Sequence, residues 1–96
     1  MSSHHMLCDA IKHSTGAQLN ALYDNARVRV YQDEYRWQEL TVLVEFTHRG
    51  KSFGFGESFP VDYFYRDNRF YDEYIREQFP RRIAQEAAAL IMRGAL

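Results

Sequence analysis

Cysteine, lysine, proline and net charge are all scarce in this chain. Cys8 is the single cysteine, so no internal disulfide can form, and a reducing compartment is expected. The net charge of −1 excludes two modes of action: coating nucleic acid nonspecifically, which needs many uncompensated cations, and acidic mimicry of nucleic acid. No apolar run approaches the roughly 20 residues a bilayer-spanning helix requires. The opening MSSHHMLCDAIKHSTG lacks the basic start and apolar stretch of a secretory signal, which makes the cytoplasm the expected location. Among the 12 basic residues only Lys12 and Lys51 are lysines. That bias suits either a GC-rich genome or planar, bidentate contacts at an interface.

Catalytic patterns are equally thin. His4 and Cys8 would lie one turn apart on a helix, as a nucleophile and its base or half a metal site would. Further partners are missing, because His5 and His13 are neighbours of the same stretch and His48 falls in a turn. The adjacent acids Asp33 with Glu34 and Asp72 with Glu73 point in different directions on a helix. Gly54 and Gly56 lack the longer spacing and following lysine of a phosphate loop. No enzyme, metal site or cofactor is therefore expected.

The chain is rich in aromatics, at 16% of its residues. They concentrate in FPVDYFYRDNRFYDEYIREQFP, Phe59 to Phe79, among acids and arginines. A chain of 96 residues buries only about 60 to 65% of its unfolded surface, which allows one domain and one core. Residues 1–5 are polar and without period, a tag-like or disordered start, and the domain is expected over 6–96. Leu7, Ala10, Ile11, Leu19 and Leu22 recur at helical spacing, as one helix or as two broken near Ser14, with Thr15 and Gln18 matching a capping box. Asp24 and Asn25 should end this helix.

Arg27 to Tyr31 alternates as a half-buried strand, and Gln32 to Trp37 is a polar turn. Leu40, Val42, Val44 and Phe46 then share one face of a central strand, opposite Thr41, Glu45 and Thr47, with Leu43 the exception. His48 to Lys51 is a tight turn built on Gly50. In the strand after it, Phe53, Phe55 and Phe59 oppose Gly54, Gly56 and Ser58, and the small row is expected to receive a packed helix. From Tyr71 the stripe Ile75, Phe79, Ile83, Ala87 and Ile91 keeps an i+4 step across Pro80. It predicts one long helix, kinked at Pro80, or two helices meeting there, with an N-cap at Asp67 or Asn68 and a stop at Gly94. The order is α-β-β-β-α, an α+β domain with a three-stranded antiparallel sheet and helices on one face.

Three resemblances bear on function. Lys51, Ser52, Phe53, Gly54 and Phe55 are similar to the base-stacking strand of RNA recognition motif domains, departing at Ser52 and Gly56. The element order, with Gly50, Lys51, Gly54, Gly56, Arg81, Arg82, Ala84, Ala88 and Ala89, resembles double-stranded RNA-binding domains. That likeness implies phosphate contacts from Lys51, Arg81 and Arg82, although roughly twenty extra residues precede the arginine pair. Size, element order and lack of an active site resemble small phage and mobile-element proteins of the anti-CRISPR type. This implies a non-enzymatic inhibitor that sterically blocks a host nucleoprotein complex such as a CRISPR effector, from within the host cytoplasm.

A core this small cannot absorb every side chain of the aromatic segment. Tyrosine and arginine carry binding energy at protein interfaces, because they offer large area and planar donors. Tyr63, Tyr65, Arg66, Arg69, Phe70 and Arg76 are the expected partner-binding residues, with Phe64 a further surplus aromatic, unless these aromatics instead wrap the domain edge and fill the gaps left by Gly54 and Gly56. The partner is a protein, and a homodimer could bury the same surface.

Overall fold

Alternation in the middle of the chain builds the sheet. The computed structural model describes residues 4–32, 35–36 and 38–94. Strands β1 (Asp24–Gln32), β2 (Glu39–His48) and β3 (Lys51–Pro60) form an antiparallel sheet in the order β1-β2-β3. His48 pairs with Lys51 across a two-residue turn in which Arg49 and Gly50 have φ of 53° and 78°. Positive φ at both central residues gives the turn the right-handed twist of its strands. Of the expected polar turn, Asp33, Glu34 and Trp37 lie outside the described residues, while Gln32 ends β1.

Both helices cover one face of the sheet. Helix α1 (His5–Leu22) runs without the break expected near Ser14. The capping-box expectation fails because Thr15 is in mid-helix with its side chain fully buried, and its hydroxyl has no partner. His5 opens α1, and residues 1–3 lie outside the described residues. The helix stops at Leu22, where Tyr23 turns extended and its N–H bonds Leu19 O at 2.8 Å. Asp24 and Asn25 belong instead to the start of β1. Asn25, at φ 54°, sits where the register shifts between Asp24 and Arg27.

The C-terminal stripe is one continuous helical run from Asp72, with a π-turn over Tyr74–Gln78 leading into α2 (Phe79–Gly94). A strict i+4 step drifts about 40° around an ordinary helix each time. The wider π-turn absorbs one such drift, and Ile75, Phe79, Ile83 and Ala87 all stay buried. It also relieves the proline: Phe79 N–H reaches back five residues to Tyr74 O, so the ladder is rearranged just before Pro80, which lacks a donor. Gly94 does end the described helix, but without left-handed geometry. A Cβ there would approach the Phe53 ring to 2.9 Å, and Lys51 Nζ donates to Gly94 O at 3.0 Å.

Leu7, Ile11 and Leu19 of α1, Val28, Val42, Val44 and Phe46 of the sheet, and the α2 stripe make the core. The row of small residues is where the sequence reading fails. Gly54, Gly56 and Ser58 are exposed on the face away from the helices, and α2 lies on the phenylalanine face. Phenylalanines gain more from being covered than glycines gain from close approach. Leu43 also lies on the open face, because a Cβ on Gly56 would come within 2.6 Å of its Cδ2. The glycine thus accommodates a neighbouring leucine instead of a helix.

Candidate functional site

Pro60 to Phe70, the surplus of the aromatic segment, forms a small second hairpin. Pro60 ends β3, and Val61 N–H bonds Gln38 O at 2.8 Å. A 3-10 turn over Val61–Phe64 follows, with Phe64 fully buried. The Phe64 ring meets Phe59 at 6.4 Å and Phe79 at 5.1 Å between centroids, both edge-to-face, and Phe59 meets Phe79 at 5.0 Å. Such pairs add about 0.5 to 1.5 kcal/mol each beyond area burial. Phe64 is therefore core, not a surplus aromatic.

From this anchor the chain makes β4 (Tyr65–Arg66) and β5 (Arg69–Phe70), paired antiparallel. Asp67 and Asn68 are its two turn residues, with φ of 54° and 63°. They were expected to cap the helix; instead they form a hairpin turn of the same primed type as Arg49–Gly50, because short polar side chains tolerate left-handed backbone. Tyr71 N–H then bonds Phe64 O at 2.9 Å and closes the base.

The six expected interface residues divide into two sets. Tyr65 and Phe70 are half-buried, pack on each other at 5.5 Å and lean on the core. The Tyr65 ring also meets His4, with a long 3.4 Å contact between its hydroxyl and His4 Nδ1. Tyr63, Arg66, Arg69 and Arg76 are exposed. Arg66 lies over the Tyr71 ring at 5.2 Å, which orients its guanidinium without neutralising it. None of these three arginines forms an ion pair among the described residues.

Beside the hairpin lies a groove of about 640 Å³, lined by His4, Gln38, Glu39, Pro60, Asp62 and Tyr65 among others. Its acids, with the exposed arginines nearby, make a surface of mixed charge. Sequence reasoning missed Glu39, Asp62 and His4 as neighbours of the hairpin. Contacts between distant segments bring them together: the Val61–Gln38 bond, the pairing of Glu39 with Pro60 and the approach of His4 to Tyr65.

The residues expected to contact phosphate are not gathered into one patch. Arg81 and Arg82 are near the start of α2, while Lys51 bonds Gly94 at its end, about 18 Å away along the helix. Arg82 is also paired with Glu57 at 3.3 Å and stacked over Phe59 at 4.9 Å. Phe53 and Phe55 face the helices and are half-buried, so neither offers a free ring for base stacking.

The His4 ring is directed to Tyr65. Burial, reinforced by the negative charge of Asp9, pushes the Cys8 thiol above its usual value and disfavours the thiolate. His13 lines a shallow depression on α1 with Asp9 and Lys12, and His48 meets the edge of Tyr23. Among the described residues, no group of three or more His, Cys, Asp or Glu side chains could hold a metal. Asp72 and Glu73 are exposed.

A closer pair of acids was not foreseen. Glu86 on α2 faces Glu57 on β3, and its Oε2 is closed to solvent. Burial raises the Glu86 pKa most, followed by the hydrogen bond that its protonated form makes to Glu57 and by repulsion from Glu57, while Arg82 opposes the shift. No family model matches the chain, and neither does any curated protein or solved structure.

Proposed function

We propose that this chain is a non-enzymatic protein-binding module, acting through the β4–β5 hairpin. The observation that carries this reading is the exposure of Tyr63, Arg66, Arg69 and Arg76 on a segment whose Phe59, Phe64 and Phe79 are in the core and whose Tyr65, Phe70 and Tyr74 pack against it. The unpaired guanidiniums are free to donate to a partner, and the backbone beneath Arg66 and Arg69 is paired as a hairpin. Binding therefore costs less conformational entropy than it would from a loose loop. Mixed charge, with Glu39 and Asp62 in the adjoining groove, suits a protein surface better than a bare polyanion.

In its most concrete form the module is a small inhibitor of the phage or mobile-element type. It would sit on a host nucleoprotein complex, such as a CRISPR effector, in the host cytoplasm and block it sterically. The test is capture of a partner from native cells by the wild-type chain and by a Tyr63→Ala/Arg66→Ala/Arg69→Ala variant. Hot-spot losses of about 2 kcal/mol or more per residue should abolish capture, with the melting temperature unchanged within a few degrees. Full capture by the variant rejects the hairpin as the binding surface. Salt-dependent binding of duplex RNA, lost with Arg81→Ala/Arg82→Ala, would favour the double-stranded RNA-binding resemblance instead.

A further inference from the structure

Among the described residues, no strand pairs with the outer edge of β3. His48 and Lys51 close the two-residue turn, so they form a hydrogen-bonded pair, and Phe53, Phe55, Glu57 and Phe59 bond to β2 in alternation. The backbone groups of Ser52, Gly54, Gly56 and Ser58 consequently point away from the sheet. No strand lies beyond β3 among the described residues, and no other backbone hydrogen bond reaches those four. An exposed strand edge of this length is a template for pairing unless charge, proline or a bulge blunts it. The other edge, β1, has such protection: a register shift near Asn25 and the exposed Arg27 and Arg29. Two β1 strands meeting about Val28 would set Arg27 against Arg29. Along β3 there is no bulge, its proline comes only at the end, Pro60, and its two charges, Lys51 and Glu57, are of opposite sign.

We infer that a second copy of this chain pairs antiparallel with β3, about a two-fold axis at Gly54, to make a continuous six-stranded sheet. The choice of occupant and register follows from self-complementarity. With Gly54 opposite Gly54, Lys51 stands directly across from Glu57 of the second copy, Phe53 from Phe55 and Ser52 from Gly56. Each unlike pair occurs twice by symmetry, so the interface carries two opposite-charge pairs and two aromatic pairs. The alternative axis at Phe55 would set Phe53 against Glu57 and Lys51 against Phe59, with neither benefit. Beside Phe55, a groove of about 260 Å³ is lined by Glu57, Ala89, Leu90 and Arg93, on the helix-covered face that the Phe53 ring of the second copy would share. Lys51 gives one hydrogen bond to Gly94 O and has two further donors for the carboxylate across the axis. The glycines present no side chains to obstruct the approach on the open face.

Sedimentation velocity over a concentration series tests this surface independently of the hairpin. The wild-type chain should dimerise. Lys51→Glu and Glu57→Lys should each weaken the dimer about tenfold by turning two attractive pairs into repulsive ones, and the double exchange should restore it. Circular dichroism on each variant confirms that the fold persists. In a Cys8→Ser background, Gly54→Cys should form a disulfide-linked dimer under mild oxidation, and Gly56→Cys should not. A monomer at every concentration, which would leave the edge to a strand of another protein, overturns the inference. So does a dimer indifferent to both charge reversals, or one that cross-links through position 56 in place of 54.

Discussion

The two hairpins share a turn geometry and differ in everything that supports it. Arg49–Gly50 joins strands of ten residues each, held by a full ladder and by buried side chains along one face. Asp67–Asn68 joins strands of two residues, too few to be stable alone. The second is held from below, by Phe64 in the core, by Tyr65 and Phe70 against each other, and by the Tyr71–Phe64 backbone bond. In the first hairpin the alternate side chains belong to the core. In the second, anchoring by a few aromatics leaves Tyr63 and the arginines exposed, where substitutions should cost little stability.

Mutations should separate these two kinds of support. The largest effect is expected for Phe64→Ala, which removes the anchor and leaves a cavity among Phe59, Phe79 and Tyr74. A loss of about 3 to 5 kcal/mol should appear in urea unfolding, together with loss of partner binding. If stability is unchanged, the hairpin is not anchored through the core.

Asn68→Val places a β-branched residue at φ 63° and should cost about 1 to 2 kcal/mol, as Gly50→Ala should at φ 78°. The comparison lies in what else is lost. The change at Asn68 should impair binding, whereas the one at Gly50 should lower the melting temperature with binding retained in whatever fraction is folded.

The smallest effect concerns Glu86. Its folded-state pKa is raised, so the folded chain holds this proton more tightly than the unfolded chain. The corresponding stability is fully present below the ordinary glutamate value and is lost as pH rises through the raised one. Glu86→Gln should therefore raise the melting temperature at neutral pH and flatten its dependence on pH between those two values. A steeper profile for the variant would contradict the assignment.

Much of the architecture is legible in the residues themselves. The alternation of Leu40, Val42, Val44 and Phe46, the glycine at position 50 and the stripe from Ile75 to Ala87 each state a period that only one element satisfies. What failed were signals whose meaning depends on distant partners. Thr15 and Gln18 have the spacing of a cap, but α1 continues through them because Leu7, Ile11 and Leu19 on either side are all buried by the sheet and α2. Gly54 and Gly56 looked like a seat for a helix, and only the position of Leu43 shows what they accommodate.

The candidate site was located as a segment but not as a surface. Its arginines and tyrosines stand out by composition. No local pattern separates Phe64, which is buried, from Tyr63, which is half exposed. That division is made by the 3-10 turn and by rings contributed from β3 and α2. The groove beside it could not be read at all, because His4, Glu39 and Asp62 are far apart along the chain.

The central claim is that the exposed side of the second hairpin is the recognition surface. The most direct measurement compares partner capture by the wild-type chain and the Tyr63→Ala/Arg66→Ala/Arg69→Ala variant, with thermal unfolding recorded on the same samples. Capture should disappear while the melting temperature stays within a few degrees. Undiminished capture, or unfolding of the variant, would contradict it.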